Sequence, residues 1–249
     1  MSFANTFLRS EFTQRSSWKW WSALLTAIAI YALATGVSVA IYVFLTLPAT
    51  LEPGVGVEPG SDSDRLATAV LIAAGQVLVI IGVIVMAGWK NSGWGDSLYL
   101  HRAAISRPWI IVFISLAAAL LVIVASWEYV FQEVLAAEAE DTNQMLLAPE
   151  TRLATLAILT IGAPISEEFL FRGFILPPLA MTRLGFWGAA FVTNTIWTVI
   201  HFYSWQGSVE VFFIGLCLSY LVWRTGSLRP AILLHSLANL SFAIIVLAS

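Results

Sequence analysis

Charge is what this sequence has least of. Only 11% of its 249 residues are Asp, Glu, Lys or Arg, against roughly 25% in an ordinary soluble domain. A chain so poor in charge cannot coat a folded surface with polar groups. That excludes a water-soluble globule and leaves the bilayer as the solvent. Cysteine is nearly absent as well. Cys217 stands alone, so no internal disulfide framework and no Cys-rich metal site can form. With a net charge of −3 and no run of Lys or Arg, the basic patch of a nucleic-acid-binding protein is missing. Internal repeats and low-complexity tracts are missing too, so 1–249 reads as one membrane domain.

Apolar residues fill the space: 59% of the chain, with a mean hydropathy of +0.85. A span needs about 20 apolar residues. Residues 20–46, 66–89, 108–127 and 230–249 contain no charge at all. Three further stretches are apolar but decorated: 153–176 with Glu167, Glu168 and Arg172, 184–203 with Asn194 and His201, and 207–223 beside Glu210. The expectation is an all-α polytopic bundle of seven spans. The first apolar run is too long for a signal-peptide core, and is read as a retained helix.

Lys and Arg in short loops set the orientation. Arg9, Arg15, Lys19, Lys90, Arg102, Arg107, Arg183, Arg224 and Arg229, with Arg172 near the end of the fourth span, put ten of the twelve basic residues on one side. Arg65 and Arg152 lie opposite, among the acidic stretches 48–65 and 128–150. This predicts a plasma-membrane protein with a cytoplasmic N-terminus. The composition of 128–146 also favours a helix on the acidic side.

Against that background "ISEEFLFRGF", residues 165–174, is expensive. A charge at the centre of a membrane helix costs about 2.5–3.5 kcal/mol on insertion scales, so it normally faces a protein interior or a wet cavity. Glu168 and Arg172 are four apart, share a helix face and can pair. Glu167, rotated by about 100°, has no such local partner. Two histidines lie in later spans: "NTIWTVIHF" sets Trp197 four residues before His201, and "LLHSLANL" sets His235 four before Asn239. His101 falls in a loop and is read as surface.

Peptide-bond hydrolysis needs a base for the attacking water, donors for the oxyanion and a proton for the leaving amine. A secluded carboxylate, two imidazoles and an amide supply these, and no Ser or Cys is placed beside a base. The same residues permit two other readings. Glu167, His201 and His235 form a three-ligand zinc set, although the diagnostic H-E-x-x-H spacing is absent. A polar cavity also suits a non-catalytic binding or immunity protein, or a small proton-coupled transporter, although the paired halves common in transporters are not seen.

Glu-Glu-x-x-x-Arg at 167–172, aromatic-x-x-x-His at 197–201 and His-x-x-x-Asn at 235–239, in that order, resemble the CPBP family. These are the intramembrane CAAX-prenyl endopeptidases and the bacteriocin-processing and immunity proteins. The resemblance covers about 151–245. It implies an intramembrane endopeptidase in which Glu167 is the general base and His201 its partner on the water. His235 and Asn239 would form the oxyanion hole, with Glu168, Arg172 and Trp197 in support and no cofactor. It further implies a cavity reached from the membrane or the cytoplasmic side, and a membrane-associated substrate, prenylated CAAX-type peptides included, cut near the cytoplasmic face. Two features depart from the family. Trp197 stands where Phe is common, and the family has eight helices against the seven counted here. Residue counting also puts His201 farther from the basic side than Glu167 or His235, unless a helix starting before Leu184, a strong tilt or a re-entrant "GFILPPLAMT" brings them level.

Overall fold

The computed structural model describes residues 12, 16–51, 60–89, 94–101 and 107–248. Among these the chain forms helices and turns, with no strand. In order they are α1 (Trp20–Leu51), α2 (Asp62–Trp89), the single turn α3 (Trp94–Ser97), α4 (Arg107–Val130), α5 (Gln132–Glu138) and α6 (Glu140–Leu147). There follow α7 (Arg152–Ala180), α8 (Gly185–Val199), α9 (Trp205–Thr225) and α10 (Arg229–Ala248).

Five of these helices, α1, α2, α7, α9 and α10, are long and apolar enough to cross a membrane. Their outward faces carry large apolar side chains, such as Leu33 at 69% and Phe44 at 76% exposed, a surface stable only against lipid. The other two expected spans are helical as well. One is α4, Arg107–Val130, in which Ala117–Trp127 is a described apolar stretch. At 15 residues α8 spans only about 22 Å, because the chain turns at Ile200 and Phe202 takes a left-handed φ of 54°. The helix expected at 128–146 is present as α5 and α6.

The stretch "GFILPPLAMT" is not re-entrant. It continues α7 to Ala180 and then turns into α8. What the prolines do is widen the helix. Two π-helical stretches, Ile158–Gly162 and Phe169–Ile175, interrupt α7, and each ends two residues before a proline, Pro164 or Pro177. A proline brings no N–H to the ladder and its ring crowds the carbonyl four residues back. A switch to i→i+5 bonding relieves both. The N–H of Ala163 donates to the Ile158 carbonyl, and that of Leu176 to Phe171. Such bulges are frequent at functional sites, and Glu167 and Glu168 lie in the turn between these two.

The connections sort into two faces. On one, the α8–α9 turn meets α5 through Glu138 and Ser204, and Arg65 at the start of α2 pairs with Glu150 at 2.9 Å. This is the acidic face of the sequence. On the other, the Leu228 N–H donates to the Tyr99 carbonyl and the Ser227 hydroxyl to His101. The α7–α8 turn, with exposed Arg183, lies on that same basic face.

In the core between α7, α8 and α9, Gly215 allows a close approach. A Cβ there would lie 2.6 Å from Asn194 Oδ1 and 2.9 Å from an Arg172 guanidinium nitrogen, and both neighbours are fully buried. Gly215→Ala is therefore expected to destabilise the protein by about 1–3 kcal/mol through overpacking, measured as a lower melting temperature in detergent.

Candidate active site

Glu167 and Glu168 leave α7 in different directions, as adjacent residues on a helix must. Glu168 points into protein and is completely buried, while the Glu167 side chain keeps 26% exposure. Arg172 is completely buried as well. It lies in the core and not at a membrane face, so it does not belong with the residues that set orientation.

Arg172 gathers the polar interior around itself. One guanidinium nitrogen donates to Glu168 Oε1 at 2.9 Å, and the other to Asn194 Oδ1 at 2.6 Å and to the Gly215 carbonyl at 3.3 Å. Asn194 passes the network on by donating to the Ser219 hydroxyl at 3.2 Å. Two helices, α8 and α9, are thereby pinned to α7. Glu168 Oε1 also faces His235 Nδ1 at 3.1 Å, which brings α10 into the same cluster.

Trp197 sits among these groups. The Arg172 guanidinium lies over its ring, 4.4 Å from the centroid, a cation–π contact in a desolvated place. The rings of His201 and His235 meet it edge-on at 5.2 and 5.6 Å. Its indole N–H donates to Glu167 Oε2 at 2.7 Å. Glu167, which has no partner on its own helix, thus finds one on α8. A phenylalanine could supply the ring but not this bond.

The hydrogen bonds fix which nitrogen each histidine turns to the site. His201 Nδ1 lies 2.6 Å from the Trp197 carbonyl. A carbonyl only accepts, so Nδ1 carries the proton and Nε2 is left for another partner. His235 uses Nδ1 toward Glu168 and sets Nε2 3.9 Å from Glu167 Oε2. Asn239 donates one amide hydrogen to the Leu159 carbonyl at 2.8 Å, inside the first π stretch of α7, and its NH2 has a second to give.

All four residues marked as catalytic in the sequence line one cavity of about 400 Å³: Glu167, His201, His235 and Asn239. A second cavity, about 370 Å³, runs between α1 and α2 at mid-depth and meets the first at Ile72, Gln76, Glu167 and His201. Trp197, Glu168 and Arg172, marked as supporting, form the wall. The order in depth read from the sequence holds. Glu167 and Trp197 stand roughly 13 residues from the α7–α8 turn, whereas His201 lies about one helical turn beyond, toward the acidic face.

Among the described residues, no three His, Cys, Asp or Glu side chains stand where they could share a metal ion. The set Glu167, His201 and His235 is therefore not gathered as a metal cluster, and Glu167 Oε2 is engaged by the indole N–H.

Three contributors were given no role in the sequence reading. Asn194, three residues before Trp197 on the same face, carried a usable signal, as an amide inside an apolar helix. Glu138 gave none, since nothing in its acidic stretch separates it from its neighbours. Its Oε1 accepts the Ser204 N–H at 2.7 Å, anchoring the turn that carries His201. Gln76, which lines both cavities, is one amide in an otherwise apolar span.

Residues 149–241 match the type II CAAX prenyl endopeptidase Rce1-like family, a stretch that contains all three motifs. No curated protein and no solved structure matches the chain.

Breaking a buried ion pair leaves an uncompensated charge, at a cost of about 3–5 kcal/mol, whereas replacing both partners by apolar groups is far cheaper. Arg172→Met alone is therefore expected to lower the melting temperature in detergent sharply. Glu168→Leu together with Arg172→Met should recover much of that loss.

Proposed function

We propose, for a chain whose residues 149–241 are similar to the Rce1-like type II CAAX prenyl endopeptidases, that the cavity at Glu167 is the active site of an intramembrane endopeptidase acting on a membrane-associated substrate. The observation that carries this reading is the convergence of Glu167 from α7, His201 from the turn after α8, and His235 and Asn239 from α10 on one cavity.

In this reading Glu167 takes the proton from a water that attacks the substrate carbonyl. Trp197 holds Oε2 and so fixes the direction of the carboxylate. His201, with its proton on Nδ1, offers the Nε2 lone pair to the same water. As the tetrahedral intermediate forms, the second amide hydrogen of Asn239 and a protonated His235 Nε2 face the oxyanion. The proton gathered by Glu167 passes to the leaving amine, and the peptide bond breaks. Glu168 and Arg172 orient His235 and do not touch the substrate. Water is the only co-reactant. Seven membrane passes, with the N-terminus in the cytoplasm of a plasma-membrane protein, complete the proposal.

The test is cleavage of a membrane-anchored reporter peptide by purified protein in liposomes. Glu167→Gln is isosteric but not basic and should lower the rate at least 100-fold, the low end of what a positioned base supplies. Asn239→Ala should cost roughly 100- to 1000-fold, as loss of an oxyanion donor does. Cleavage by Glu167→Gln at the parent rate would remove the enzyme and leave a binding protein. Trp197→Phe keeps the ring over Arg172 but loses the N–H. A hydrogen bond to a charged group is worth about 1.5–3 kcal/mol, so kcat should fall roughly tenfold to a hundredfold with the fold intact.

A further inference from the structure

A glutamine in the middle of a membrane helix is costly unless its amide is satisfied or used. Gln76 stands midway along α2, in a stretch, 66–89, that holds no charge. Ile72, Gln76, Glu167 and His201 line both cavities. Two of these are the base and the imidazole assigned to the attacking water. Gln76 is the other polar group at the junction, and the mechanism above gives it nothing to do.

The fold holds this carboxamide against α7. Its Nε2 donates to the Ile158 carbonyl at 3.4 Å, at the start of the first π stretch. A Cβ added to Gly162, at the end of that stretch, would lie 1.9 Å from Gln76 Oε1 and 2.9 Å from Cδ. Only glycine leaves the amide this place. Asn239 does the same from α10, donating to the next carbonyl, Leu159. Two amides from separate helices thus take neighbouring carbonyls of one widened turn. A carbonyl only accepts, so each amide turns its nitrogen to α7, and each nitrogen keeps a second hydrogen to give.

The cavity between α1 and α2 has a polar wall. Tyr31, Thr35 and Ser38, at i, i+4 and i+7 on α1, line it together with Gln76 and Ser166. Ser38 is 3% exposed, and among the described residues its hydroxyl has no hydrogen-bond partner. Water normally satisfies a buried hydroxyl that protein does not. Water in this branch meets Gln76, Glu167 and His201 where the two cavities join.

We infer that Gln76 is a further catalytic residue, which donates its second amide hydrogen to the attacking water. The inference rests on the hydrolase reading above and completes the surroundings of that water. One hydrogen of the water goes to Glu167 and the other faces His201 Nε2. One lone pair attacks the substrate carbonyl, and the remaining one accepts from Gln76 Nε2. Every direction around the oxygen is then taken, which keeps the attacking lone pair in line. Gln76 neither gains nor loses a proton. The proton taken by Glu167 still passes to the leaving amine.

The test is again cleavage of a membrane-anchored reporter peptide by purified protein in liposomes. Gln76→Met keeps the length of the side chain and loses the donor. Its kcat should fall roughly threefold to tenfold, what one hydrogen bond supplies, with KM unchanged. Gly162→Ala reaches the same amide by another route, since its methyl takes the place of Oε1, and it should lower kcat to a similar extent. This variant decides the matter if Gln76→Met does not fold. A role on the water also leaves a signature that a packing role lacks. In a Glu167→Gln background, where the base is gone, Gln76→Met should cost less than about twofold, because groups that act on one water are not additive. An undiminished loss in that background would make Gln76 a packing residue and overturn the inference. So would a parent kcat in both Gln76→Met and Gly162→Ala. Parent-rate cleavage by Glu167→Gln is a separate result, which removes the hydrolase reading and this inference with it.

Discussion

The interaction on which the rest depends is the ion pair between Glu168 and Arg172, both completely buried in a chain that has almost no other charge to spare. An isolated charge of either sign could not stay there. The pair persists because both terminal nitrogens of the guanidinium are engaged, by Glu168 on its own helix and by Asn194 on α8 and the Gly215 carbonyl on α9, and because the group lies over the face of Trp197. These bonds also have geometric consequences. They place Trp197 beside Glu167 and His235 beside Glu168. The solvated carboxylate and the imidazoles around the cavity inherit their positions from a cluster that does not itself face it.

Proline supplies the second constraint. A regular α-helix through 152–180 would carry the i→i+4 ladder into Pro164, Pro177 and Pro178, where no N–H exists. The two π stretches absorb this and leave Glu167 and Glu168 on a short regular turn between widened ones. Asn239 uses one of those stretches directly, donating to Leu159. Backbone irregularity at membrane depth is tolerable only where protein satisfies it, and here α10 does so.

Much of this was legible in the sequence. Low charge and long apolar runs give the helical membrane fold, and Glu168–Arg172 follows from i, i+4 spacing. The three motifs mark the residues that line the cavity. What was hidden depends on contacts between distant segments. Residue counting gave seven spans, of which five are helices long and apolar enough to cross among the described residues, and composition does not reveal that α8 stops at Val199. Two adjacent prolines suggested a re-entrant break, whereas the chain answered with a wider helix. Trp197 looked like a neutral exchange for phenylalanine because ring size is visible in a sequence and the aim of an N–H is not.

The acidic connection shows most clearly why a site cannot be read as motifs alone. His201 lies beyond the end of α8, in a turn, where an imidazole would ordinarily be poorly fixed. Three contacts hold that turn. Glu138 accepts the Ser204 N–H, Ser204 Oγ in turn caps α9 through Gly207, and the Trp127 indole donates to the Gln206 carbonyl. A carboxylate at a helix N-terminus is also where the helix dipole favours it. The segment 128–150 therefore does two things at once. It lines one end of the cavity, and it holds the turn that carries the histidine. The cavity wall and the position of His201 are set by the same few side chains, so a change that widened the cavity at Glu138 would also loosen the residue proposed to activate the water.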